Sequence, residues 1–337
     1  MSILALDIGG ANLKAANGRG FALSRPFALW RHPERLAEEL DAIIAASPPA
    51  EHVVATMTGE LADCFETKAH GVEAIVTALA AAAGKRDVSI YLTDGTWVTT
   101  DEACRRPLEA AASNWHALAA YAARHVTGGV GLLVDIGSTT CDIIPIVHGR
   151  PAARGSTDPE RIATGELVYT GVERSPVCGV VAKLPWRKCQ CRVAQELFAT
   201  TWDAYLMIGD LPEQPENQAT ADGRPATRAR AHDRLARAIC ADRTMFDAND
   251  ARRAADAVAA AQCALVAEAI GEVVERLGEP PMTVVVSGEG AFLARRAVRQ
   301  VLPSMAIVDL TALLGADVAR VAPAHALAEL TRERGER

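Results

Sequence analysis

Asp7 and Asp135 each stand at the end of an apolar run and are each followed by Ile-Gly, in LALDIGGANLK and LLVDIGSTTCD. They lie 128 positions apart (135 minus 7). A glycine turn between two strands exposes backbone N–H groups that can cradle phosphate oxygens. An aspartate at the strand end can hold Mg²⁺, directly or through water, and the ion then bridges phosphates. Two such turns on facing domains would grip a di- or triphosphate from both sides. Gly9, Gly10, Asn12 and Lys14 compose the first turn; Gly137, Ser138, Thr139 and Thr140 compose the second. Asn12 and the three hydroxyls add neutral donors, and Lys14 adds a cation. A third turn, Gly288-Glu289-Gly290, follows the apolar run VVVS and opens a helical pattern. A helix N-terminus there favours an anion or the sugar and base of a nucleotide. Any one of these turns is common. The ordered trio on a repeated framework is the informative signal.

The elements that must position these turns also repeat. Residues 3–8, 12–17 and 21–29 read as strands, with Asn17-Gly18 as a hairpin turn. A helix opens at His32-Pro33 and stops at Pro48-Pro49; a strand at 52–57, a helix at 68–83 and a strand at 88–93 follow. Ser113 is placed to cap a helix holding Trp115, Leu118 and Tyr121. At Gly128-Gly129 the pattern restarts, with strands at 130–136 and 141–147. Helices are expected over 192–207, 232–241 and 250–277, then a strand at 282–287, a helix, a short strand at 306–309 and a last helix over 316–333. The stretch 209–230 is polar, holds three prolines and reads as a surface insertion. Strand hairpins followed by alternating helices and strands, done twice, predict two α/β domains of like topology. Their expected limits are 1–127 and 128–315, with the last helix packing back on the first domain.

The chain has 337 residues, enough for two domains. Its net charge of −7 argues against a general nucleic-acid binder. No run approaches the roughly 18 to 20 consecutive apolar residues of a membrane span, and the N-terminus has no basic region ahead of an apolar one. Eight cysteines, most inside helix- or strand-like patterns, suit reduced thiols in a cytoplasmic protein. Cys178, Cys189 and Cys191 lack the spacing of an ordinary zinc site.

The trio resembles the phosphate-1, phosphate-2 and adenosine motifs of the actin, sugar kinase and Hsp70 superfamily. That resemblance implies two RNase-H-like, actin-like ATPase domains around a central cleft. DIGGANLK is similar to the sugar-kinase form, with Ala11 where a hydroxyl residue is usual, and DIGSTTCDI is closer to the hydantoinase and oxoprolinase branch. TMTGEL, SNWHA, GELVYTGVERSPVC, ELFATTWDAYLMIGD and TADGRPATRARAHDRLARAICAD together resemble a small family linked to tetrahydromethanopterin-dependent one-carbon metabolism. Its archaeal member is similar to a methanofuran-pathway synthase that makes a furan-methanamine ether.

The resemblance implies a transferase in which a phenol oxygen of γ-glutamyltyramine displaces diphosphate from an aminomethylfuran diphosphate. Mg²⁺ on Asp7 or Asp135 would then neutralise the leaving group, and ATP would not be needed. The phenol requires a proton acceptor, for which Glu60, Asp142, Asp203 and Asp210 are candidates. Asp142 sits just past the second turn. Asp203 and Asp210 are seven apart and share a face only if one helix runs through Gly209. Gly59, Glu60, Trp115, Tyr169 and Asp210 are candidate pocket residues; Trp202 and Tyr205 are further aromatics that either wall a pocket or fill a core. Two other readings stand beside the transferase. One is an ATP-dependent kinase or hydrolase acting on a small molecule. The other is a non-catalytic nucleotide-binding protein. Oligomerisation is open in all three.

Overall fold

The computed structural model describes residues 2–336. Two sheets form, and each starts from one of the Asp-Ile-Gly hairpins. The first contains β1 (Ile3–Ile8), β2 (Asn12–Ala16), β3 (Ala22–Pro26), β4 (His52–Met57), β5 (Asp87–Tyr91) and β6 (Trp97–Val98), in the order β3-β2-β1-β4-β5-β6. β1 pairs antiparallel with β2 and parallel with β4. The second sheet contains β7 (Val130–Ile136), β8 (Cys141–Val147), with short β9 (Arg150–Pro151) beside it, and β10 (Leu167–Val168). After a separate hairpin of β11 (Lys183–Trp186) and β12 (Cys189–Arg192), the sheet is completed by β13 (Thr283–Ser287) and β14 (Ala306–Asp309). Its order is β10-β8-β7-β13-β14, again with one antiparallel hairpin in the middle and parallel strands beyond it. Each sheet is thus the same RNase-H-like layer, and the chain is an actin-like α/β protein.

β1 and β7 are apolar along almost their whole length because both faces of each sheet are covered. In the first lobe, the helices Leu36–Ala46 and Lys68–Ala83 cover one face through Leu40, Ile43, Ile75 and Leu79. In the second, Ala248–Leu277 and Ala291–Val301 do the same through Val266, Ile270, Leu293 and Val298. Two further helices, Asn114–Ala122 and Ala322–Glu336, lie between the sheets. Leu327 and Ala328 pack with Ile3, Ala5 and Val54 of the first sheet. Ala322 and Ala326 pack with Leu133, Ile144 and Val285 of the second.

Two expectations change. Residues 192–200 are not helical: past the strand end at Arg192 the chain bends irregularly to a bridge between Thr200 and Pro176, and the helix is Thr201–Ile208. Ser113 does not cap Asn114–Ala122; its hydroxyl lies 2.7 Å from the Thr56 hydroxyl on β4. The 209–230 insertion lies largely at the surface, as expected, and is pinned there, because Gln214 bridges Ala226 and buried Ala226 packs on Trp202 and Leu206. Ala248–Leu277 is long and apolar enough by composition to cross a bilayer, although no uninterrupted apolar run stands out in the sequence. Here its apolar face is buried in the second lobe.

Candidate active site

The first turn is closed by Gly9 N–H donating to Asn12 O at 3.0 Å. A Cβ on Gly9 would lie 2.8 Å from that oxygen, so the tight return requires glycine. The loop after β4 leans on this turn. Thr58 and Gly59 N–H both donate to Ile8 O, and a side chain on Gly59 would meet Leu29 Cδ2 at 2.7 Å. The second turn repeats the closure, with Gly137 N–H donating to Thr140 O at 2.9 Å. Residues 171–174 are strapped behind it. Val172 N–H donates to Gly137 O, and Glu173 and Arg174 N–H donate to Ser138 O at 3.1 and 3.0 Å. The N–H groups expected to meet phosphate at Gly9 and Gly137 are therefore consumed by the turns. Those of Gly10, Ala11, Ser138 and Thr139 have no protein acceptor among the described residues.

Both turns open onto one cleft of about 490 Å³. Asp7, Gly9, Gly10, Asn12 and Lys14 line it from the first lobe, and Ser138, Thr139, Thr140, Asp142 and Tyr169 from the second. Glu60 lines it too, with Gly59 beneath it holding the loop against Gly9. The two hairpins share a register. Asp7 stands opposite Lys14 across β1 and β2, and Asp135 stands opposite Asp142 across β7 and β8. The lobes part at the second member of each pair. Lys14 Nζ is 3.9 Å from Asp7, whereas Asp142 sets a like charge against Asp135, which is destabilising. Withdrawal from water, followed by the charge of Asp142, pushes the Asp135 carboxyl up to about 7. Burial raises Asp7 as well, against the pull of Lys14, and Asp7 Oδ1 is buried without a hydrogen-bond partner. Burial also raises Asp142, although buried Arg161 pairs with it. Glu60 is 1 % exposed, and its Oε2 has no partner. Burial pushes it up to about 7, with Lys68 at 3.7 Å opposing the shift.

Several expected site residues lie elsewhere. Asp135 and Gly137 are not among the residues lining the cleft, although Asp135 stands opposite cleft-lining Asp142 and feels the charges of Lys14 and Asp7. Gly288, Glu289 and Gly290 are packed onto the end of β7. A Cβ on Gly290 would lie 2.5 Å from Ile136 Cγ2, and one on Gly288 would strike Ile136 O, so these glycines serve close packing. Glu289 lies near Glu173, whose carboxyl is pushed up to about 7 by burial and then by that charge. Trp115 is core, with the Arg161 guanidinium 4.3 Å above its ring. Trp202 and Tyr205 are likewise core residues. Asp203 is the third residue of its helix. Its carboxylate closes a capping box on Thr200 and accepts from Arg234 Nε at 2.8 Å. Gly209 ends that helix at φ 85°, so Asp210 is not on it; Asp210 instead takes two bonds from Arg296. Of the candidate proton acceptors, Glu60 and Asp142 reach the cleft, and Asp142 is tied to Arg161.

The sequence reading missed Trp30, Lys68, Asp158, Arg161 and Arg174. Lys68 joins the lobes through Asp158 at 2.6 Å, and Trp30, Asp158, Arg161 and Arg174 line the cleft. No spacing rule marks them. Arg174 lay only inside the block GELVYTGVERSPVC.

Among the described residues, no three His, Cys, Asp or Glu side chains converge as a metal-ligand set. Mg²⁺ needs only one or two carboxylates when substrate phosphates and waters complete its shell. The unpartnered buried oxygen of Asp7 fits that demand.

A family model described as hydantoinase/oxoprolinase matches residues 51–334. The chain belongs to that family. Among hydantoinase/oxoprolinase relatives, it is 31% identical over 334 residues to the (4-{4-[2-(γ-L-glutamylamino)ethyl]phenoxymethyl}furan-2-yl)methanamine synthase of Methanocaldococcus jannaschii, covering 98% of each chain. It is 30% identical over 203 residues to the synthase of the same name from Methanococcus vannielii, covering 60% of this chain and 90% of that one. In structure it aligns with the inorganic polyphosphate/ATP-glucomannokinase of Arthrobacter sp. strain KM, at 14% identity and a TM-score of 0.47, over 98% and 99% of the two chains.

Proposed function

We propose that this hydantoinase/oxoprolinase family member joins an aminomethylfuran diphosphate to the phenol oxygen of γ-glutamyltyramine and releases diphosphate. The observation that carries this is the opening of both glycine turns, with Asp7, onto one cleft. The bond from the furfuryl carbon to the diphosphate oxygen breaks. The bond from that carbon to the phenol oxygen forms, and the phenolic proton passes to a carboxylate. The furan ring delocalises positive charge at the carbon, so the barrier lies largely in charge building on the departing diphosphate. Free N–H groups at Gly10, Ala11, Ser138 and Thr139, with Lys14 nearby, meet that charge from two sides. Each such donor, removed singly, is worth about 3–4 kcal/mol of barrier. Mg²⁺ held by Asp7 would neutralise further charge on the diphosphate. ATP-dependent phosphotransfer has less support, because the third turn, the expected nucleoside site, does not line the cleft.

The direct test supplies the aminomethylfuran diphosphate and γ-glutamyltyramine with Mg²⁺ and follows ether and diphosphate together. Equal yields of the two are expected without ATP. Diphosphate release with no ether, or dependence on ATP, would overturn the assignment.

Glu60 is the acceptor we assign to the phenolic proton. It lines the cleft, and its carboxyl at about 7 suits proton transfer near neutrality. Its folded value is raised, so the competent carboxylate accumulates only as pH climbs through about 7. kcat/KM is therefore expected to rise with pH across that value. Glu60→Gln should lower it by about 10²–10⁴ and erase that limb. An unchanged limb in the variant would transfer the role to another group.

A further inference from the structure

Most cations in or beside the cleft are already engaged. Lys14 faces Asp7, Arg161 is taken by Asp142, and Lys68 lies between Asp158 and Glu60. Arg174 differs. It lines the cleft, and among the described residues no carboxylate lies within ion-pair distance of it, although its charge acts on neighbouring Glu173. Its guanidinium lies 5.3 Å from the centre of the Trp30 ring. The chain on each side of this contact is bonded to one of the turns. Arg174 N–H donates to Ser138 O at 3.0 Å, and Leu29 N–H, just before Trp30, donates to Gly10 O at 3.0 Å. An arginine from the segment bonded to the second turn and an indole from the segment bonded to the first therefore meet across the cleft.

A guanidinium held over an aromatic face by cation–π attraction spends none of its N–H donors on an acceptor. Those donors form a rigid fork matched to phosphate oxygens. A carboxylate partner would have occupied the same donors. The cleft also holds more acids than bases, with Asp7, Glu60, Asp63, Asp142 and Asp158 against Lys14, Arg161 and Arg174. An uncommitted cation is what a polyanionic leaving group requires there.

We propose that Arg174 binds the diphosphate group directly, and that Trp30 is its positioning residue. This rests on the functional reading above and deepens it, by naming a ligand of the leaving group that lies outside both glycine turns.

The test is calorimetric titration of inorganic diphosphate with Mg²⁺ into the full-length protein and three variants. Arg174→Ala is expected to weaken binding about tenfold or more, and Arg174→Lys by less, because it keeps the charge and loses the fork. Trp30→Leu should weaken binding of diphosphate while leaving Arg174 in the chain, and should make the further Arg174→Ala change less damaging. Arg174 is exposed, so thermal unfolding of its variants should match that of the parent. If the parent protein binds diphosphate and Arg174→Ala binds it within about twofold of the parent, this inference fails and the functional reading stands. If the parent binds no diphosphate, the functional reading itself fails.

Discussion

Asp7→Asn is expected to lower turnover by about 10²–10³ and at the same time to make the folded protein more stable above neutral pH. The two effects have one origin. Asp7 is the penultimate residue of a strand whose residues are all buried, and its Oδ1 has no hydrogen-bond partner among the described residues. Burial lifts its pKa above the ordinary value of 3.8, and Lys14 only partly opposes the shift. A carboxyl raised in the folded state leaves stability intact below the unfolded pKa. Stability is lost as pH climbs through the folded pKa, because the folded state resists releasing the proton. Asparagine never ionises, so its advantage should be absent near pH 3 and grow with pH. Chemical denaturation in EDTA at several pH values reads this directly, and Mg²⁺ should narrow the gap by stabilising only the aspartate form. A variant that is both inactive and less stable at pH 8 would instead mark Asp7 as an ordinary structural residue.

What could be read from the sequence was what is local in the chain. Each Asp-Ile-Gly hairpin is a short unit whose apolar runs, glycine return and pairing partner lie within about a dozen residues, so its form follows from nearby sequence. Doubling that unit was enough to indicate two like lobes and a shared cleft. Even the ladder partners were within reach, since Lys14 and Asp142 each lie seven positions after their aspartate. The errors came where a distant residue decides. Asp203 and Asp210 could share a face only if a helix ran through Gly209, which ends it, and their partners Arg234 and Arg296, from separate helices, could not be read from spacing. The third glycine turn looked like a ligand loop because glycine permits close approach. The close approach is to Ile136 of the neighbouring strand. Residues 192–200 have apolar content suited to a helix, yet they run as an irregular segment whose end is bridged to Pro176. Arg174 had no signal of its own, because its place is set by bonding to Ser138 across an irregular segment.

Arg234→Ala should be among the most damaging substitutions for folding and nearly silent in catalysis by molecules that remain folded. Arg234 is fully buried, and it donates to Asp203 through Nε at 2.8 Å and to Asp222 through Nη1 at 3.0 Å. Asp203 is itself buried, and its other oxygen accepts Thr200 N–H at the start of the helix. Removing the guanidinium leaves Asp203 with a capping bond and no cation. Breaking a buried pair from one side destabilises by about 3–5 kcal/mol, because the remaining charge cannot return to water. Replacing both partners avoids the stranded charge, so Asp203→Asn with Arg234→Met should be less destabilised than Arg234→Ala alone. Asparagine retains a carbonyl oxygen for the cap. Had Asp203 been the base, as its place in ELFATTWDAYLMIGD allowed, the pattern would reverse. Asp203→Asn would then fold normally and lose turnover. Urea denaturation of the single and double variants, with kcat measured on the folded fraction of each, separates the two roles. A kcat within about threefold of the parent in Asp203→Asn, alongside a clear drop in stability, places this aspartate in the scaffold that holds the second lobe together rather than in the chemistry.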